Sequence, residues 1–184
     1  MSRKKIRLGL TMLIVLVGLD FSPVAQASST PIAASRWPRP RETYVIEGSS
    51  SIRRVYQAAV RAWNATGCFK FVRGSSAHHQ LTLGSSKATT GRYYRLAGIT
   101  FSTGRVNGYY TKARVLLLTR NLTAYRYSYW DKVHVAEHEL GHTMGLEHSK
   151  DRHSVMLADN RYNGISRQDV AAVKERYRLP VGEI

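Results

Sequence analysis

The sequence predicts a single α+β domain built on a mixed five-stranded sheet, and three observations predict it. Short β-branched and aromatic runs bounded by Gly, Ser and Pro read as strands at Thr43–Ile46, Cys68–Val72, Gln80–Leu83, Ala97–Phe101 and Ala113–Thr119. Three longer stretches repeat apolar residues at helical spacing, one after the first strand and two after the last. The resulting order is β-α-β-β-β-β-α-α with no internal repeat, over a span suited to one core.

The chain opens Met1-Ser2-Arg3-Lys4-Lys5, continues apolar from Leu8 to Leu19 except for Thr11 and two glycines, and reaches Ala25-Gln26-Ala27. A basic start, a short apolar run and an A-x-A site read as a secretory signal peptide over residues 1–27. The run is too short for a spanning helix. Residues 28–41 are rich in Ser, Ala and Pro and read as a flexible lead-in, and residues 42–184 as the working domain.

Gly48 to Ser51 offers helix caps, and Ile52, Val55, Tyr56, Ala59, Val60 and Trp63 then recur on one helical face over 52–65. Gly67 ends that helix, and residues 84–97 form a polar loop. Residues 121–130 read as a linker dense in aromatics, with Tyr125, Tyr127, Tyr129 and Trp130 expected to pack on the helix that follows from about Asp131 to Met144, the alternative being that they line the entrance to a cleft. The last helix, about 167–177, begins with Ser166 and Asp169 at capping-box spacing and places Val170, Val173 and Tyr177 on one stripe. Cys68 is the only cysteine, so no internal disulfide forms, and it reads as a small buried apolar side chain.

The chemistry concentrates in His138-Glu139-Leu140-Gly141-His142-Thr143-Met144-Gly145-Leu146-Glu147-His148. On a helix, His138 and His142 share a face and can aim at one ion. Glu139 sits beside the first imidazole, where it can reach a metal-bound water as general base without being a ligand. Gly145 tolerates positive φ, so the helix can stop there and His148 can return as a third imidazole. Three nitrogens with an open fourth position describe a catalytic zinc site, since a structural zinc is closed by four protein ligands.

This pattern, H-E-x-x-H-x-x-G-x-x-H, resembles that of the metzincin metallopeptidases, and Ser154-Val155-Met156 resembles their methionine turn. Val135-Ala136 before the motif, Ser149 after it, the Trp37…Tyr44-Val45-Ile46 segment and Ala62-Trp63-Asn64 are most similar to a matrixin-type catalytic domain over about residues 37–178. The resemblance implies a zincin-like fold in which the fourth strand is an antiparallel edge above the cleft. It also implies one catalytic Zn²⁺ on His138, His142 and His148, Glu139 as catalytic base, Met156 as an apolar floor and protein or peptide as substrate. Matrixins often bind a second, structural zinc and calcium through a mid-sheet loop. Residues 84–97 contain no His, Asp or Glu, so the second zinc is not carried over and no calcium site is readable. Pro38-Arg39-Pro40-Arg41 lacks the cysteine of a latency segment.

The remaining histidines read differently. His134, four residues before His138, reads as packing beside the metal site or orienting one of its ligands, His153 as exposed, and His78-His79 as a pair before the third strand. Tyr162 lies six residues after Met156 and is not assigned to the metal. The two N-x-T sequons at Asn64 and Asn121 matter only in a glycosylating host.

The chain carries +16, and removing the leader leaves +13. Such a charge affects partners rather than fold. The arginines are scattered, so a diffuse solvated basic surface is the default reading; electrostatic association with anionic wall polymers or a cell surface is the functional one, and no nucleic-acid-binding pattern is present. The expectation is a secreted zinc-dependent endopeptidase, a monomer with a bacterial cast, with no transmembrane segment once the leader is removed. The alternative is a non-catalytic cationic binding protein on a peptidase scaffold. Cleavage of wall peptide, in place of protein, would keep the zinc and change the substrate.

Overall fold

The computed structural model describes residues 29–184, so the signal peptide read over 1–27 lies outside the described residues. Strand β1 (Arg41–Ile46) leads into α1 (Ser50–Ala65), whose N-cap Ser49 accepts the amide of Ile52 at 3.4 Å. All six residues assigned to the inner face of α1 are buried. Tyr56 donates its hydroxyl to the carbonyl of Gly84 at 2.8 Å, and the Trp63 indole donates to the carbonyl of Glu137 at 2.9 Å. The core residue Trp63 thus also ties α1 to the helix that carries the site.

Strands β2 (Lys70–Arg73), β3 (Leu81–Ser86), β4 (Gly98–Val106) and β5 (Tyr109–Leu118) complete a five-stranded sheet of order β2-β1-β3-β5-β4. All neighbours pair parallel except β4, which pairs antiparallel with β5 and forms one edge. The mixed sheet and the antiparallel edge strand expected from the sequence are therefore present. The last two strands are longer than expected, because Asn107 and Gly108, at φ +51 and +80, close a tight hairpin between them. An Asn-Gly pair with both φ positive matches the right-handed twist of a hairpin and is a legible hairpin signal in the sequence.

Two segments depart further from expectation. Helix α2 (Thr119–Ala124) occupies the start of the segment read as a linker. It is six residues long, lacks a side-chain N-cap bond and carries no acidic residue in its first turn, so it leaves no helical signature. Helix α3 (Tyr129–Thr143) starts at Tyr129 because Ser128 and Asp131 form a reciprocal capping box. Tyr129 and Trp130 consequently occupy an exposed first turn, with Trp130 63% exposed, and do not pack on α3 as expected; Tyr127 does pack against the core.

Residues 30–37, inside the segment read as a flexible lead-in, run as a strap across the domain. Ile32 bridges Leu146, Arg36 bridges Tyr109, and Thr30, Ser35, Arg36 and Trp37 are buried. Their Ser-, Ala- and Pro-rich composition signals no element. Main-chain bonds to distant residues order them, including Ala33 N–H to Gly145 O at 2.8 Å and Glu147 N–H to Pro31 O at 2.9 Å.

Helix α4 (Arg167–Arg178) has the expected Ser166–Asp169 capping box and buries Val173, with Val170 and Tyr177 partly buried against the core. Cys68 is buried just before β2. The Asn64 amide is bonded to both main-chain groups of Phe71, and that of Asn121 to the carbonyls of Tyr93 and Leu96. Both sequon side chains are thus committed within the fold. No helix among the described residues is long and apolar enough to cross a membrane.

Candidate metal centre

Helix α3 places His138 and His142 one turn apart, with their Nε2 atoms 3.1 Å from each other. The other nitrogen of each ring is anchored. His138 Nδ1 bonds the carbonyl of Val155 and His142 Nδ1 the carbonyl of Leu146, both at 2.8 Å. A carbonyl only accepts, so each Nδ1 carries the proton and each Nε2 presents a lone pair. Burial pushes the His138 imidazole down to about 3 and that of His142 to about 4, so both rings are neutral at neutral pH.

The helix stops at Gly145 in a Schellman arrangement. Gly145, at φ +92, donates to His142 O at 3.1 Å, and Leu146 donates to Gly141 O at 3.1 Å. The chain turns there and brings His148 back, its ring centroid 5.2 Å from that of His138 and 4.9 Å from that of His142. One nitrogen from each of the three rings lies within 4.8 Å of the others. Two lone pairs facing at van der Waals contact, with a third imidazole beside them, fit a shared cation. This is the one such three-ligand group among the described residues.

Met156 packs against α3 at Gly141. It is fully buried, and a Cβ added at Gly141 would stand 2.3 Å from its sulfur. A helix glycine therefore makes the room that the methionine fills. The turn around Met156 hangs on Asp169, whose carboxylate accepts from the Ser154 hydroxyl at 2.5 Å and the Val155 amide at 2.9 Å. The Thr30 hydroxyl and the capping Ser166 bind the same group. Because Val155 also holds His138, the strap and α4 reach the first imidazole through Asp169.

A family profile described as Matrixin matches residues 37–178. The chain belongs to the matrixin family. No curated protein matches it. As a matrixin it is a zinc metallopeptidase, a hydrolase acting on proteins or peptides, and the His138–His142–His148 cluster is where the structure gathers groups able to hold the metal.

The matrixin cleft, a cavity of about 440 Å³, runs between β4 and α3 and is lined by Ala97 to Thr100, the three histidines, Glu139, Val135 and Asn160 among others. Glu139 is only 6% exposed, and burial pushes its carboxyl up to about 7, offset in part by the hydroxyl of Thr100. The adjacent Glu137 is also buried and raised to about 7 by desolvation, but its Oε2 lies near Gly164 and the side chain does not line the cleft. Of the two neighbouring carboxyls, only Glu139 faces the histidines' cavity.

The other singled-out residues fall outside the cluster. His134 Nδ1 bonds Arg161 O at 3.3 Å, His153 is exposed, and His79 bonds Ser75 O in the loop before β3. Tyr162 is exposed, with the Arg161 guanidinium 5.4 Å from its ring centroid. Sequence reasoning missed Asp169 as the anchor of the methionine turn, and Thr30, Gly98 and Thr100 altogether. The only local signal was the Ser166–Asp169 capping box, which explains one of the carboxylate's tasks.

Proposed function

We propose that this matrixin is a secreted zinc-dependent endopeptidase with one catalytic ion on His138, His142 and His148 and with Glu139 as general base. The observation that carries the reading is the shared orientation of His138 and His142. Each is fixed by a main-chain carbonyl on Nδ1 and offers its Nε2 to one point at the floor of a cleft that also holds Glu139. When bound, zinc supplies Lewis-acid polarisation of a water and of the scissile carbonyl.

The chain's own residues do the rest. The outer edge of β4 is unpaired in the sheet and runs along the cleft, so an extended peptide can add to it through main-chain hydrogen bonds. Glu139 takes a proton from the attacking water and returns it to the leaving amine. Its raised carboxyl, near 7, suits a group that must both accept and release a proton at neutral pH. Gly145 turns the chain so that His148 completes the ligand set, and Met156 supports the imidazoles from below. The leader read over residues 1–27 supports export of the enzyme.

The test is hydrolysis of a mixed peptide library by the purified protein, compared with Glu139→Ala and with protein held in a zinc chelator. Cleavage within peptides should fall by about 10²–10⁴-fold in Glu139→Ala and vanish on chelation, returning when zinc is restored. A folded, zinc-loaded protein without cleavage, or a Glu139→Ala variant as active as the parent, sinks the reading.

A further inference from the structure

A glutamate used as a base must present one oxygen to the water and find a partner for the other inside a wall of protein. Glu139 has three rotatable torsions and is only 6% exposed. Strand β4 supplies that partner. Residues 98 and 100 project to the same face of the strand, and that face meets Glu139. At position 98 there is no side chain, and a Cβ there would stand 2.7 Å from Oε1 and 2.8 Å from Cγ of Glu139. At position 100, the threonine hydroxyl donates to Oε2 at 2.6 Å and lies 3.0 Å from the carbonyl oxygen of Glu139.

We propose that Thr100 is a positioning residue for the general base. Its hydroxyl holds Oε2 of Glu139, and the side-chain-free surface at Gly98 lets β4 close on the carboxyl so that Oε1 is the oxygen left to work. The inference rests on the reading of Glu139 as base.

In the resting carboxylate, Thr100 donates its single proton to Oε2. In the first step a water O–H bond breaks, an Oε1–H bond forms, and the hydroxide oxygen adds to the scissile carbonyl carbon as the carbonyl π pair moves to its oxygen; Oε2 keeps accepting. In the second step that pair re-forms the carbonyl, the C–N bond breaks, and the Oε1 proton passes to the leaving nitrogen. Thr100 donates throughout and exchanges no proton. Because β4 is also the strand to which a peptide would add, substrate binding would tighten the element that aims the base.

The closing experiment measures kcat and KM on a peptide the parent cleaves, with zinc content and Tm, for Thr100→Val, Thr100→Ser, Gly98→Ala and Glu139→Ala in the full chain. Thr100→Val keeps the shape and removes the hydroxyl. A hydrogen bond to a charged group is worth about 1.5–3 kcal/mol, so kcat should fall by about tenfold to a hundredfold with KM and zinc content unchanged. Thr100→Ser should recover most of that loss. Gly98→Ala, which crowds Oε1, should lower kcat while retaining zinc, and it provides a second probe should Thr100→Val fold poorly. A Thr100→Val enzyme with parental kcat, a Thr100→Ser variant as impaired as Thr100→Val, or a loss of kcat that follows loss of zinc overturns the inference. If Glu139→Ala is itself active, the base reading fails and takes the inference with it. If Glu139→Ala is dead while Thr100→Val is unimpaired, only the inference falls.

Discussion

Residues 138–148 carry three imidazoles, a carboxyl and a helix stop within consecutive positions, whereas the strap that backs them, residues 30–37, lies about a hundred positions upstream. The first region is specified by helical periodicity and one glycine, and each of its parts has a chemical reason to be where it is. The second is specified by main-chain bonds and by two buried charged side chains, Asp169 and Arg176, both wholly inaccessible to solvent. The difference teaches that the histidine cluster has a local design and a non-local support. The three imidazoles are a property of α3 and its turn, but the geometry of His138 depends on Val155, hence on Asp169, hence on Thr30.

Breaking the support at its hub should have the largest effect. Asp169→Ala would leave the hydroxyls of Thr30, Ser154 and Ser166 and the amides of Val155 and Ser166 without their acceptor. Buried donors left unsatisfied cost about 1–3 kcal/mol each, and with partial relaxation a loss of about 4 kcal/mol is expected in urea denaturation. Zinc affinity should fall by about tenfold to a hundredfold as well, in the range seen when the groups orienting a ligand are removed, because the Val155 carbonyl that fixes His138 belongs to the same turn. A variant that loses stability yet binds zinc like the parent would show the two regions to be uncoupled.

Arg176 tests the support away from the metal. Its guanidinium binds carbonyls of the strap and of the C-terminal tail: Ala33 O at 2.8 Å, Leu179 O at 3.3 Å, and the carbonyls of Pro180 and Glu183. No carboxylate is among these partners, so the residue acts as a multi-pronged donor and not as half of an ion pair. Arg176→Met keeps much of the stem and removes the donors, and should cost about 3 kcal/mol while the folded fraction keeps its kcat. An equal loss of kcat in that fraction would show that the strap governs the chemistry itself and not only its stability.

Legibility in the sequence follows the same division. Five strands, the three principal helices, the inner face of α1 and the capping box of α4 were readable because each is written in a short periodic or capping pattern. So were the three histidines that meet, Glu139 in the cleft, and Met156 beneath the helix. The strap was not, since Ser, Ala and Pro signal only a loop and its partners are distant. The burial of Arg36 and Arg176 was hidden too, in a chain whose charge suggested a diffuse solvated surface. Thr100 and Gly98 were illegible for another reason: nothing in a strand's own pattern tells which helix residue its side chains will meet.

Gly145 is the position where the two regions touch, and it separates their contributions with the smallest expected effect. Two glycines with positive φ can be compared, Gly67 at +69 and Gly145 at +92. At Gly67 an added Cβ meets nothing within 4 Å, so Gly67→Ala should cost about 1 kcal/mol for the backbone conformation alone. At Gly145 the added Cβ would stand 2.8 Å from the Ser35 carbonyl of the strap and 3.3 Å from the stem of Arg176. Gly145→Ala should therefore cost about 2 kcal/mol, and the excess over Gly67→Ala reports the strap's pressure on the helix stop. That pressure should also appear in zinc affinity, because the Ala33–Gly145 and Glu147–Pro31 bonds flank the turn that delivers His148. Equal costs at the two glycines, with zinc affinity unchanged, would mean that the motif glycine serves only the turn and that the strap merely lies over it.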